Sequence, residues 1–95
     1  MTMTVGETQI DDGLVRVTRW TIQPHESIAM HVHENDYVVI PLSNGVMHAV
    51  DVNSAESAVE LSCGTSYARK RGAEHRIDNR SDSVISFVEV ELLQP

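Results

Sequence analysis

The chain has 95 residues, room for one small domain over 1–95 and no second. Its formal charge of −7 at pH 7 argues against nucleic acid and anionic membrane surfaces as partners. The single cysteine, Cys63, cannot close a disulfide within the chain and fits a reducing compartment. Residues 1–10 carry neither a basic segment nor an apolar run of the secretory type, and no stretch approaches a membrane span. A cytoplasmic protein is therefore expected.

From residue 14 onward the pattern is that of strands. Residues 14–22 are rich in β-branched side chains, with Leu14, Arg16, Thr18, Trp20 and Ile22 on one face and Val15, Val17, Arg19 and Thr21 on the other. Asp11-Asp12-Gly13 is the turn ahead of it, and Pro24 ends the pattern. Short strands are expected at 27–32 and 37–40, with Pro41 marking a strand end, an edge or a bulge. After the Ser43-Asn44-Gly45 turn come strands at 46–52, 59–62, 65–69 and 73–77. The last, 83–93, places Ile85, Phe87, Glu89, Glu91 and Leu93 on one face and Val84, Val88, Val90 and Leu92 on the other. Short strands at regular turn spacing predict an all-β sandwich or barrel. An edge in need of protection and a final strand apolar on both faces predict a homodimer.

Within this pattern lies His31-Val32-His33, whose imidazoles project to the same side of a strand. A third histidine, His75, sits in Gly64-x5-Lys70-x-Gly72-x2-His75-x3-Asn79. Three neutral imidazoles on one face suit a transition-metal ion. These two segments resemble the paired motifs of the cupins, small jelly-roll β-barrels. The family's first motif runs glycine, His-x-His, an acidic residue three or four positions on, then glycine. Here His31, His33 and Gly45 meet it, and His25 stands in the glycine's place after Pro24. The second motif is met at Gly64, Gly72, His75 and Asn79, with Lys70 in place of proline. Together they span residues 24–79, and the phrases Asp36-Tyr-Val-Val-Ile-Pro-Leu42 and Phe87-Val-Glu-Val-Glu-Leu92 resemble short bacterial cupins, some of them named for β-alanine degradation.

The resemblance implies an all-β jelly-roll barrel holding one divalent transition metal (Fe, Mn, Ni or Zn) on His31, His33 and His75. The family's usual fourth ligand, a glutamate, is missing; Tyr37 lies three residues beyond His33 at the counted position. The fourth ligand is then absent, is Tyr37, or is Asp36 reached through a bulge. Tyr37 is the candidate catalytic residue, acting beside the metal. Tyr67 and Arg69 share a face and are the candidate substrate-binding pair, Arg69 for a carboxylate. Asn79 or Glu74 could take the second ring nitrogen of a ligand histidine, although Asn79 more naturally bonds its own loop. His48 reads as a satisfied wall residue, His25 as a surface group and Cys63 as a small buried hydrophobe. The expected function is a metal-dependent enzyme acting on a small polar or carboxylate-bearing metabolite. Oxygenase, isomerase and decarboxylase chemistry all remain open. The alternative is a non-catalytic module that binds or senses a small ligand.

Overall fold

The computed structural model describes residues 3–93. Ten strands follow one another: β1 Met3–Thr4, β2 Glu7–Asp11, β3 Val15–Ile22, β4 Ser27–Val32, β5 Tyr37–Pro41, β6 Gly45–Asp51, β7 Glu56–Leu61, β8 Tyr67–Arg69, β9 Glu74–Asp78 and β10 Ile85–Leu92. They form two five-stranded sheets, ordered β1-β4-β9-β6-β7 and β2-β3-β10-β5-β8. The short β1–β4 pair is parallel and the other pairs are antiparallel. This is the expected all-β jelly roll. Among the described residues no helix is long and apolar enough to cross a membrane.

Alternation along each strand builds the interior. Ile85 and Phe87 of β10 are buried beside Tyr37 and Val39 of β5 and Ile22 of β3, and Ile28, Met47, Leu61 and Ile77 meet them from the other sheet. Removing such apolar surface from water is the main favourable contribution to a fold of this size. The apolar core fills one part of the interior only. Further along β3 and β10 the inward positions are taken by Arg16, Trp20, Glu89 and Glu91.

Two strands lie ahead of the first one expected. Every residue of β2 is exposed, so its sequence carries no apolar period, and its place is set by the ladder to β3. Between β1 and β2 the chain crosses from one sheet to the other over Trp20. A Cβ at Gly6 would stand 2.7 Å from Thr18 Cγ2 and 2.8 Å from the indole ring, so only glycine fits there. β7 begins at Glu56 instead of 59, and β8 is confined to Tyr67–Arg69 because Thr65 donates its N–H to Ser62 in a turn.

The outer side of the β4-β9-β6 surface holds a buried ion cluster. Asp78 lies opposite Ser27 and His48 and accepts hydrogen bonds from Ser27, Arg76 and Arg80. Next to it, buried Asn79 ties the final loop, donating to Ile22, Gln23 and Ser83 carbonyls and accepting from Ser81. His48 differs from the satisfied residue expected, since its Nδ1 is buried without a hydrogen-bond partner. Cys63 also differs: it is exposed in the loop after β7, where its backbone N–H donates to Asn44 and its thiol is left outside the core. His25 is exposed as expected, with a positive φ of 65° and its Nε2 2.9 Å from the Asp82 carboxylate.

Burial pushes the Asp78 carboxyl up, but the bonds from Arg76, Ser27 and Arg80 outweigh it and hold the group down at about 2. A carboxyl depressed in the folded state contributes stability above its unfolded value, and that contribution fades as pH falls from about 4 toward 2. Asp78→Asn is therefore expected to cost about 2 kcal/mol at pH 7 in urea unfolding. The gap to wild type should close near pH 2, and an equal gap at both pH values would contradict this account.

Candidate metal centre

His31 and His33 come from β4 and the start of the following loop, and His75 from β9. Their meeting depends on a break in alternation. Ile28 pairs with Ile77 and His31 with His75, so β4 spends three residues where β9 spends two. The extra residue makes a bulge at Ala29 and Met30, both exposed. Without it, a strand that buries Ile28 would turn His31 and His33 outward. Two backbone bonds then pin His33: its N–H donates to Ala73, and its carbonyl accepts from Gly72.

The Nε2 atoms of His31 and His33 are 3.0 Å apart, and those of His33 and His75 are 3.1 Å apart. His31 Nδ1 lies 2.7 Å from the Ala29 carbonyl, which can only accept. That bond places the proton of neutral His31 on Nδ1 and leaves Nε2 as a bare lone pair aimed at the cluster. His33 Nε2 faces two ring nitrogens and carries at most one hydrogen, so hydrogen bonding cannot serve both contacts well. A cation serves all three. Metal–nitrogen bonds of about 2.1 Å at right angles separate neighbouring ligand atoms by about 3.0 Å, which matches the His31–His33 and His33–His75 spacings, and all three ligand atoms lie within 4.8 Å of one another. Burial, with the neighbouring His31 charge, pulls both His33 and His75 down to about 4, with His75 adding to the effect on His33. Both rings are thus neutral near pH 7. The three residues fit one metal ion, and among the described residues they are the group of histidine, cysteine or acid side chains that could hold one.

The other expected site residues divide. Tyr37 is buried and lies flat on His33, ring centroids 3.9 Å apart at 15°. Burial pushes its phenol up to about 12, helped by Glu89, so it keeps its proton. Asp36 stands apart from the histidines: its carboxylate accepts the N–H of Arg71. The fold uses it to fasten two loops. Glu74 is exposed and Asn79 is occupied in its own loop, so neither orients a ring, and for His31 the Ala29 carbonyl does so instead. Tyr67 and Arg69 are together as their shared face predicts, but Arg69 is exposed, its guanidinium 4.5 Å above the Tyr67 ring and bonded to the Ala68 carbonyl. Both border a small chamber with Tyr37, His75 and Glu89.

On the other side of the histidines opens a cleft of about 370 Å³, lined by Arg16, Trp20, His31, His33, Glu89 and Glu91. A larger charged hollow between residues 34–36 and 70–71 contains none of the three histidines. Glu91 is held by Arg16 through two hydrogen bonds of 3.0 and 2.9 Å. Glu89 accepts one, from the Trp20 indole N–H at 3.0 Å. Burial pushes the Glu89 carboxyl up to about 7, the Trp20 bond opposing and the Glu91 charge assisting. Apart from His31 and His33, these cleft residues are absent from the site candidates read in the sequence. Their signal is the parity of 14–22 and 83–93, which sets charged groups on the face shared with Ile22, Ile85 and Phe87.

A carboxyl raised in the folded state favours folding at low pH, and stability falls as pH rises from about 4.5 through 7. Glu89→Gln is therefore expected to stabilise the metal-free protein by about 1 kcal/mol at pH 8 and to change little at pH 5. Thermal melts at the two pH values measure it; equal shifts would refute the assignment.

No family model matches the chain. It is 35% identical over 88 residues to the β-alanine degradation protein BauB of Pseudomonas aeruginosa, covering 93% of this chain and 92% of that protein. The crystal structure of a cupin domain from Bordetella pertussis superposes with a TM-score of 0.91 at 34% identity, covering 96% of this chain and 94% of that one. A double-stranded β-helix protein from Klebsiella pneumoniae superposes at 0.79 with 21% identity over 96% of this chain and 77% of its own, a likeness of fold alone.

Proposed function

The chain belongs to the cupins, and we propose that it holds one divalent transition metal on His31, His33 and His75 and acts as an enzyme on a small polar or carboxylate-bearing metabolite. The observation that carries this reading is the convergence of three ring nitrogens, 3.0 and 3.1 Å apart, at the inner end of an open cleft. The likeness to the cupins implies Fe, Mn, Ni or Zn, and of these imidazole ligands suit Fe, Ni and Zn. When bound, such an ion supplies Lewis acidity and, for iron or manganese, a redox centre.

The protein's own groups have separable tasks. Ala29 fixes the tautomer of His31, and Tyr37 holds the plane of His33 while keeping its phenolic proton. Glu89 sits between cleft and chamber with a carboxyl near 7, able to take or give a proton at neutral pH. Arg69 caps Tyr67 and can reach a ligand carboxylate at the chamber's rim. The partners proposed are a small molecule and a second copy of the chain. The second copy is supported by apolar side chains left outside, among them Met30, Val32, Val46 and Val84.

Elemental analysis of protein purified without chelators is expected to find close to one ion per chain, and His31→Ala to lose it. Wild type free of metal sinks the proposal. Loaded protein is then offered small carboxylates, β-alanine among them because the BauB relative is named for its degradation, while oxygen uptake and products are followed. Turnover supports an enzyme; binding without turnover moves the protein to a module that binds or senses its ligand. Sedimentation at micromolar concentration is expected to give a dimer, and a monomer removes the second copy from the proposal.

A further inference from the structure

An antiparallel sheet that packs one face on the core ordinarily turns polar side chains to the other. The sheet β2-β3-β10-β5-β8 does the reverse. On β10, parity with buried Ile85 and Phe87 points Glu89 and Glu91 inward and Val88, Val90 and Leu92 outward. The ladder registers carry this reversal across the whole sheet. Ile10, Val17, Val90, Val38 and Ala68 stand side by side in one outward row, one residue from each strand. Val88 and Ile40 extend the apolar surface on one side of that row, and Val15 and Leu92 on the other. The half-buried side chains packed on the core are Trp20, Ala49, Val59 and Tyr67, so none of this row contributes there. The outer face of the second sheet is unlike it, carrying Arg76, Asp78, Arg80 and Glu56 in ion pairs. The described residues build two sheets and no third layer to lie over the apolar face.

We propose that a second copy of the chain docks on this face, sheet against sheet, about a two-fold axis running along β10. The docking rests on the second copy proposed above and assigns it a surface, whereas Met30, Val32 and Val46 belong to the other sheet. Five strands about 4.8 Å apart, with eight residues of β10 at about 3.3 Å each, make a face of about 19 by 26 Å. Two such faces bury on the order of 1,000 Å², the size at which specific interfaces begin. The edge charges favour a copy of this chain and fix the axis. Asp11, Arg16, Glu91, Tyr37 and Arg69 form one row of the ladder. That row ends at β2 in acidic Asp11-Asp12 and at β8 in basic Arg69-Lys70-Arg71. A two-fold along β10 lays β2 of each copy over β8 of the other, so acid meets base at both edges. An axis across the strands would set β2 against β2, and acid against acid. The operation along β10 also brings Ile10, 47% exposed, over a hollow of about 170 Å³ lined in part by Val38, Ala68 and Leu92. The wall of the metal cleft is the reverse side of this face: Arg16, Glu89 and Glu91 alternate with Val15, Val17, Val88 and Val90. A docked copy therefore braces the strands that carry the cleft's charged groups.

The test is sedimentation of the full chain at low micromolar concentration, with circular dichroism as the check on folding. Wild type is expected to be a dimer and Val90→Lys a folded monomer. Val46→Lys, the same change on the outer face of the other sheet, should leave the dimer intact. Asp11→Lys should weaken association about tenfold, and Lys70→Asp added to it should restore most of the loss. Both of these side chains are exposed, so this pair decides the matter if Val90→Lys does not fold. A dimer that survives Val90→Lys in folded form, a dimer broken by Val46→Lys, or a charge exchange without restoration overturns the proposed face and axis while the dimer itself stands. A wild-type monomer removes the dimer and this docking together. Metal content is measured separately and bears on neither outcome.

Discussion

Alternation of side chains along a strand is the constraint on which this molecule depends, together with the break in it that β4 carries beside the histidines. Every inward position in the two sheets is fixed by parity once Ile22, Ile28, Ile77, Ile85 and Phe87 are buried. Strict parity would then put His31 and His33 on the outside with Val32 facing in. The extra residue at Ala29 and Met30 resets the count, so one strand serves first the apolar core and then the polar site. Core and site are consecutive portions of the same ladder, and packing around Ile28 and Ile77 bears directly on where the imidazoles sit.

The polar end of the interior answers its own electrostatics in different ways. Arg16 neutralises Glu91, and on the outer side of the other sheet two arginines and buried Ser27 hold the buried Asp78 ionised. The imidazoles give up their charge instead: burial drives His33 and His75 well below their ordinary range. Glu89 is raised toward neutrality by the same burial. His33, His75 and Glu89 are therefore shifted toward neutral forms, which is the state in which imidazole lends a lone pair and a carboxyl exchanges a proton near pH 7. Tyr37 belongs to the same pattern, a phenol kept protonated and pressed against the ring of His33.

Much of this was legible in the residues. The spacing of His31 and His33, the glycines before His75 and the strand periodicity were enough for the fold class and for the three histidines. The parity of 83–93 already set Glu89 and Glu91 beside Ile85 and Phe87, but two acids on an apolar face signal an interior only once the partner strands are known. What could not be read had no local signature. The exposed β2 owes its conformation to pairing, Asp36 is drawn to the backbone of Arg71, and Cys63 is left outside by the path of a loop. Arg69 is the instructive case, since shared parity with Tyr67 was right while the direction of a long, flexible guanidinium was beyond sequence. Tertiary contacts decide such residues.

The crossing at Gly6 gives the protein an unusual point of adjustment. The backbone there rests on the indole of Trp20, whose N–H in turn fixes Glu89. A position with no side chain, far from the histidines in sequence, thus sets the depth of the cleft's wall. A side chain at that position would have to push the indole aside, and through its N–H bond the carboxylate of Glu89 with it. The shape of the cleft is thus tied to a crossover that carries no side chain of its own.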